Sequence, residues 1–213
     1  TNNPFVLKKK YKNTENVYLD YLDKIELPRV MKVLVQIDYR TGRLNYNYYK
    51  EKCLKPVSCL LLALLLTTGR RLKEAGSLTW AQFKQGESPR LELKKTKTSK
   101  KNNKLIFKLG DEAVNILNLI AKDRLNNSES SFYFPIGDPR NNYIFPSKAY
   151  GRKNKSGKTE CLFVQDPGAT WDSLLLRAGV ERHMKIHSTR HTFATNFYRV
   201  TKDIKALAEA LGT

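Results

Sequence analysis

Acidic residues are scarce in this sequence compared with basic ones. The 213 residues include 20 Asp and Glu against 39 Lys and Arg, for a formal net charge of +19. Solubility alone does not require so large a charge, and the simplest reason to carry it is a polyanionic partner such as a nucleic acid. An anionic membrane surface and ribosomal RNA are alternatives, but neither suits a chain that is 40% hydrophobic.

Cysteine and long apolar runs are also scarce. The cysteines Cys53, Cys59 and Cys161 lack the paired spacing of a disulfide framework or a zinc site, so we expect reduced thiols in a cytoplasmic protein. The longest apolar run, 57–66, has about half of the roughly 20 residues that a membrane span needs, and predicts a core helix. The sequence starts without methionine or a secretory leader, which is typical of an excised fragment.

Apolar periodicity predicts several helices. Val30, Leu34 and Ile37 recur at helical spacing until turn residues at 39–43 interrupt the pattern. Pro56 suits a first helical turn, and the helix that it begins is apolar on most sides. Further helices are predicted at about 71–77, 111–124, 169–178, 188–200 and 202–211. The helix at 111–124 is amphipathic, with one face formed by Val114, Leu117, Ile120 and Ala121.

Alternating apolar residues predict a β-hairpin between two of these helices. Leu91 and Leu93, then Leu105 and Phe107, alternate with polar residues on either side of a lysine-rich turn. The stretch 126–168 is rich in Asn, Ser, Gly, Pro and Lys and indicates loops and an insertion. Residues 1–23 are basic with little apolar periodicity, so we interpret them as an arm or linker before one domain over 24–213.

The segment Thr-Gly-Arg-Arg-Leu-Lys-Glu at 68–74 is the first candidate for chemistry. A glycine at a helix end allows a sharp turn, which puts Arg71 at the start of the next helix with Glu74 on the same side. The alternative is a C-capping glycine followed by ordinary surface arginines, and this segment alone does not decide between them.

The segment 187–197 is the second candidate. Ser188 or Thr189 is positioned to cap a helix on which Phe193, Ala194 and Phe197 share a face with Arg190. An arginine held in this way needs an anion or hydrogen-bond acceptors, and a phosphate supplies both. The alternative is a structural arginine paired with a carboxylate such as Glu74 or Glu209.

Two weaker patterns remain. His183, His187 and His191 recur every four residues, but no recognised zinc-ligand arrangement accompanies them, so no metal site is expected. The lysine run at 94–104 is usual for a solvated turn or for non-specific phosphate contacts.

In this order, the segments resemble the catalytic domain of tyrosine recombinases, the integrases of phages and mobile elements. The resemblance covers roughly 24–213. It rests on Thr-Gly-x-Arg-x-x-Glu with Leu78 and Trp80 after it, on Lys-Thr at a hairpin, and on His-x-x-Arg-His-Thr-Phe-Ala-Thr preceded by Ala-Gly-Val at 178–180. It implies a mainly α fold with a small antiparallel β-sheet (α+β), clamped on double-stranded DNA beside a separate N-terminal domain.

The resemblance also implies residue roles. Arg71 and Arg190 would hold the non-bridging oxygens of the scissile phosphate, where charge builds in the transition state. His187 would be a hydrogen-bonding partner or general base near the nucleophile. Glu74 would support the first arginine, and His191 belongs to the same motif as a further supporting residue.

A hairpin lysine would protonate the leaving 5′ oxygen. Lys95 is the first choice and Lys97 the alternative, because both share a strand face and the hairpin is long. Expected contacts to the DNA backbone come from the hairpin tip and the insertion, namely Lys94, Lys100, Lys101, Lys104, Arg152, Lys153 and Lys155.

Two departures from the family pattern stand at the end of the chain. The family reads Leu-Gly-His where this sequence reads Leu-Gly-Thr, so Thr213 either replaces the second histidine, with a hydroxyl that can still donate to phosphate, or that histidine is not present. The family's nucleophilic tyrosine would lie beyond residue 213. Of the eleven tyrosines in the sequence, Tyr198 is the nearest and is interpreted as a packing residue, so the fragment is expected to bind DNA without cleaving it.

The implied parent protein cuts and rejoins DNA strands through a covalent 3′-phosphotyrosyl link, without metal or nucleotide cofactor, as a homo-oligomer that forms a tetrameric synapse. A type IB topoisomerase shares this chemistry and is the enzymatic alternative. A DNA-binding regulator that kept the fold and lost the reaction is the non-enzymatic one.

Overall fold

The computed structural model describes residues 20–93, 105–126, 130–153, 159 and 161–212. In these ranges the chain forms eight α-helices and five strands. They are α1 Glu26–Leu34, β1 Ile37–Asp38, β2 Arg43–Leu44, α2 Tyr46–Glu51, α3 Pro56–Thr68, α4 Leu72–Gly76, β3 Phe83–Lys84, β4 Arg90–Leu93, β5 Leu105–Lys108, α5 Asp111–Asn126, α6 Gly168–Arg177, α7 Ser188–Thr201 and α8 Ile204–Leu211.

Helix α3 is the centre of the core. Pro56 is its first residue, as predicted, and every residue from 57 to 66 is buried. The helix contacts α1, α5, α6 and α7, so apolar neighbours cover it on all sides. Each fully buried leucine contributes roughly 2 kcal/mol of hydrophobic free energy. No helix in the described ranges has the length and apolar content of a bilayer-spanning segment.

The predicted hairpin is confirmed as part of a small antiparallel sheet. Its register pairs Leu91 with Phe107 and Leu93 with Leu105. A third strand, β3, pairs Phe83 with Leu91 on the other edge of β4. With two residues, β3 is too short to show alternation in the sequence. The lysine-rich tip at 94–104 lies outside the described residues.

Two helix boundaries were predicted wrongly. Val35 is extended and ends α1, and Ile37 belongs to β1, where it pairs with Leu44 across a turn. Lys202 does not start the last helix, because its φ of 54° is left-handed and it closes α7 instead. Helix α8 then begins after Asp203, whose carboxylate accepts hydrogen bonds from the amides of Lys205 and Ala206.

Buried positions also differ in part from the apolar pattern. The buried face of α5 is formed by Ala113, Ile116, Leu117 and Ile120, whereas Val114 and Ala121 are only half-buried. Leu22, inside the predicted arm, is fully buried, and its amide donates to Thr192 Oγ1 at 2.9 Å. The end of the arm therefore packs against α7.

The turn between α3 and α4 depends on Gly69. Its φ is +63°, a left-handed conformation that costs other L-residues roughly 1–2 kcal/mol. A Cβ at this position would lie 2.4 Å from Phe193 Cδ1 and 2.9 Å from Leu211 Cδ2. Glycine is thus required both by the backbone and by the close approach of α7 and α8.

The substitution Gly69→Ala is expected to lower the free energy of unfolding by about 2–4 kcal/mol, because backbone strain and overpacking add. Gly137→Ala is the matched control, since Gly137 also has a positive φ, +88°, but a Cβ there would meet no described atom within 4 Å. In the control, the free energy of unfolding should fall only by the contribution of backbone strain, without that of overpacking. Urea unfolding of the two variants measures the difference, and equal losses would contradict a tight approach at Gly69.

Candidate functional site

The α3–α4 turn and the start of α7 meet at a small pocket of about 180 Å³. Its lining residues are Arg70, Arg71, Leu72, Ile186, His187, Thr189 and Arg190. Three of the predicted site residues, Arg71, His187 and Arg190, are therefore brought together from segments more than a hundred positions apart in the sequence.

Arg71 stands at the amino end of α4 and is held by Glu74. Its Nη1 donates to Glu74 Oε1 at 3.2 Å, and its backbone amide donates to Glu74 Oε2 at 3.3 Å. The Arg71 side chain is 57% exposed and that of Glu74 30%. An ion pair as open as this adds little stability, so its main effect is to orient the guanidinium beside the pocket.

Arg190, on the first turn of α7, is buried, with 9% of its surface exposed. Its Nη1 donates to the Gly69 carbonyl at 2.7 Å and its Nη2 to the Leu211 carbonyl at 3.2 Å. No salt bridge joins it to a carboxylate within the described part of the chain. The pairing with Glu74 or Glu209, left open by the sequence, is thus replaced by two carbonyl acceptors.

Burial lowers the pKa of Arg190, and the positive charge of Arg71 lowers it further, while Glu74 acts in the opposite direction. The desolvated guanidinium is therefore held in place without a carboxylate in contact. It has five N–H donors, and the two carbonyls occupy two of them.

His187 immediately precedes α7 and its ring lies edge-to-face with that of His191, with centroids 5.0 Å apart. Partial desolvation at the pocket lowers the pKa of His187, and the charges of His191 and Arg190 add to the effect. His191 Nε2 lies 3.7 Å from Asp20 Oδ2. A lowered pKa favours the neutral imidazole at neutral pH, which is the form that accepts a proton.

The predicted cap of α7 is wrong in detail. The residue at the N-cap is His187, and it makes no side-chain capping hydrogen bond. Ser188 Oγ instead donates to Asp20 Oδ1, and Thr189 Oγ1 donates to the Ile186 carbonyl at 2.7 Å. Trp171 Nε1 donates to the Met184 carbonyl at 2.7 Å and so fixes the loop that leads to His187.

Arg70 also lines the pocket, a position that the sequence did not predict, and it is 2% exposed. Its Nη2 donates to the Ala210 carbonyl, and its guanidinium carbon lies 3.6 Å from the centre of the Phe107 ring. Burial lowers its pKa to about 10, with further lowering by the charges of Arg190 and Arg71. A charged residue next to a glycine turn gave no sign of burial, because the residues around it come from distant parts of the chain.

Other predicted residues lie elsewhere. Arg152 and Lys153 are exposed, and they are not among the pocket residues; neither is Tyr198, which is half-buried. His183 is exposed as well, and the described residues hold no group of three His, Cys, Asp or Glu side chains placed for a metal ion. The predicted positions outside the described residues are Lys94, Lys95, Lys97, Lys100, Lys101, Lys104, Lys155 and Thr213.

Comparison with known proteins decides the family. The model of the phage integrase family matches residues 30–212. The chain belongs to the phage integrase family. Fold and family agree, since the mainly α architecture with a small antiparallel sheet is that of a tyrosine recombinase catalytic domain. No curated protein matches the sequence of this family member.

Solved structures of similar fold are also tyrosine recombinases. XerH recombinase bound to difH substrate has a TM-score of 0.56 and 18% identity, over 91% of this chain and 47% of its own. XerA recombinase has a TM-score of 0.57 and 19% identity, over 96% of this chain and 57% of its own. The Tn1549 transposon integrase in complex with circular intermediate DNA has a TM-score of 0.52 and 17% identity, over 90% of this chain and 58% of its own. This integrase chain thus spans about half the length of the structures it resembles.

NMR titration of the histidines tests the electrostatics of the pocket. The pKa of His187 is expected below its ordinary value of 6.5 and should rise in His191→Asn, because a neighbouring positive charge is removed. Inorganic phosphate should raise it too, since an anion favours the protonated imidazole. A His187 pKa that responds neither to the substitution nor to phosphate would contradict a shared, anion-binding pocket.

Proposed function

We propose that this chain is the DNA-binding and catalytic domain of a site-specific recombinase that cuts and rejoins DNA strands through a 3′-phosphotyrosyl intermediate. The observation that carries the proposal is the convergence of Arg71 and Arg190 on one pocket together with His187. Guanidinium groups are bidentate donors whose fork matches the oxygens of a phosphate. The pocket, of about 180 Å³, is lined by these donors and has room for a phosphodiester group.

The two arginines would act together on the scissile phosphate. Arg190 is buried and fixed by backbone carbonyls, so its remaining donors are preorganised. Arg71 is more open and oriented by Glu74. Donors fixed before the reaction stabilise the charge that develops on the non-bridging oxygens without reorganising at the moment of attack. Most of the catalytic effect should therefore come from Arg190.

The proton transfers would involve His187 and a hairpin lysine. The lowered pKa of His187 leaves it able to accept a hydrogen bond or a proton near the nucleophile. Lys95, with Lys97 as the alternative, would protonate the leaving 5′ oxygen. The base of that hairpin belongs to the same domain, because Phe107 on β5 contacts Arg70 beside the pocket. His191 and Thr213 remain proposed supporting residues.

Double-stranded DNA is the proposed substrate. The net charge of +19 supports it, and so do the similar recombinases XerH and Tn1549 integrase, whose structures hold DNA. Lysines of the hairpin tip, with Arg152, Lys153 and Lys155, would contact the backbone. The nucleophile would be a tyrosine other than the described ones, since no tyrosine in the described part of the chain lines the pocket. We also propose that four protomers of the recombinase assemble on two paired DNA sites.

The variant Arg190→Ala, in the protein that includes the tyrosine segment, is expected to reduce covalent adduct with a nicked suicide duplex by at least about a hundredfold, as loss of a transition-state donor does. DNA affinity should fall much less, because most phosphate contacts lie elsewhere. Arg152→Ala is the matched control, since Arg152 is exposed and absent from the pocket lining. It should weaken binding and leave the cleavage rate at saturating DNA intact.

The products separate this function from its rivals. Adduct formation with joining between two sites identifies a recombinase, whereas relaxation of supercoils without a preferred site identifies a topoisomerase. Binding without any adduct identifies a regulator. Normal cleavage by Arg190→Ala would remove Arg190 from the site.

The salt dependence of DNA binding tests the charge argument with the 213-residue chain itself. Affinity is expected to fall by roughly 10³-fold or more between about 50 and 200 mM salt if six or more phosphates are contacted. Fluorescence anisotropy with a labelled duplex gives the slope. An affinity that hardly changes over this range would rule out binding through the phosphate backbone.

A further inference from the structure

The carboxyl end of α8 is held by two guanidinium groups from the pocket. Arg70 donates to the carbonyl of Ala210, and Arg190 donates to the carbonyl of the next residue, Leu211, at 3.2 Å. Carbonyls in the last turn of a helix have no partner within the helix, and positive charge is favourable there. The position of this helix end is therefore coupled to two side chains that line the pocket.

Arg70 also connects the helix end to the sheet. Its guanidinium stacks 3.6 Å above the centre of the Phe107 ring on β5, the strand that follows the lysine-rich tip. Gly212, with a left-handed φ of +69°, closes α8 against the same two side chains. A Cβ there would lie 2.7 Å from Phe107 Cε1 and 3.4 Å from Arg70 Nη1. The turn that carries Arg71, the strand β5 and the end of α8 thus meet at one buried guanidinium.

This position is costly for a charged group. Arg70 is 2% exposed, and its Nη1 has no hydrogen-bond partner among the described residues. An apolar side chain of similar length would fill the space beside Phe107 without that desolvation penalty. A leucine or methionine would not, however, donate to the Ala210 carbonyl or repel Arg190 and Arg71. The burial of a charge here indicates a role that packing alone does not require.

We propose that Arg70 is a positioning residue for strand cleavage, which holds the carboxyl end of α8, and the chain that follows it, against the turn that carries Arg71. The proposal rests on the proposed function, because cleavage is the step that this positioning serves. Arg70 does not contact the phosphate in this role. It sets the distance between the arginine pair, the base of the hairpin and the segment after Leu211.

The experiment uses the protein that includes the tyrosine segment and measures single-turnover cleavage at saturating DNA beside the dissociation constant of the DNA. Arg70→Met is expected to slow cleavage by about tenfold to a hundredfold, as misplacement of reacting groups by about 1 Å does, with affinity changed by less than about threefold. Arg70→Lys keeps the charge and one donor, so it should recover part of the rate. Arg29→Met, on an exposed arginine of α1, is the charge-matched control.

The substitution Phe107→Leu removes the ring on which the Arg70 guanidinium stacks, and so tests the same contact. Because Arg70 and Phe107 act as one unit, the double variant should be slowed less than the product of the two single effects. Independent, multiplicative effects would overturn the proposal. So would wild-type cleavage by Arg70→Met, or a loss of cleavage that only follows the loss of affinity.

Hydrogen exchange separates failure of this proposal from failure of the proposed function. Amides at the end of α8 should exchange faster in Arg70→Lys than in wild type, while those in α3 stay protected. If the wild type forms no adduct but α8 responds in this way, the recombinase function fails and the positioning of α8 by Arg70 stands. If Arg70→Met does not fold, Arg70→Lys decides: unchanged exchange and an unchanged cleavage rate overturn the proposal.

Discussion

The hydrogen bonds from Arg190 to the carbonyls of Gly69 and Leu211 are the constraint on which the site depends. They join the carboxyl end of α3 to that of α8 through one side chain of α7. Helix carboxyl ends carry partial negative charge, so they stabilise a guanidinium without neutralising it. A carboxylate would have bound Arg190 more strongly but would also have competed with an anion for it. The fold therefore presents a buried arginine whose charge is still available.

The charge balance of the pocket follows from this arrangement. Arg70, Arg71 and Arg190 carry three positive charges, and the negative charge of Glu74 acts on both Arg70 and Arg190. Burial is the main cause of the lowered pKa values of Arg70 and Arg190, and repulsion from the neighbouring arginines lowers them further, against the opposing effect of Glu74. A bound phosphate relieves the repulsion, and a transition state with more negative charge relieves it further. The apolar core around α3 offsets the cost of assembling the cluster.

The sequence predicted the elements that local chemistry determines. Helix α3 follows from Pro56 and a continuous apolar run, and the hairpin follows from alternation around Leu91 and Phe107, although alternation did not determine which residues pair across the two strands. The motif around Arg71 and the one around Arg190 also indicated the family, which the comparison confirmed. The roles of individual site residues stay predictions, and several of those residues lie outside the described ranges.

What the sequence did not predict depends on contacts between distant segments. Ile37 leaves the helical pattern because it pairs with Leu44, and Lys202 ends a helix through a left-handed backbone. Arg70 is buried only because Phe107 and Ala210 reach it from distant positions in the chain. Patterns in a single sequence contain no information on contacts between distant segments. Gly69 is a partial exception, because a glycine is required where α7 and α8 approach the backbone closely.

The proposed function requires that Arg71 and Arg190 hold one phosphate. A crystal structure of the protein with a duplex that carries its recombination site tests it most directly, through the distances from both guanidinium groups to the phosphorus atoms. Both guanidinium groups are expected to donate to non-bridging oxygens of the same phosphate, with His187 beside it. Arginines bound to different phosphates, or an Arg190 that keeps only its two carbonyl acceptors, would contradict it.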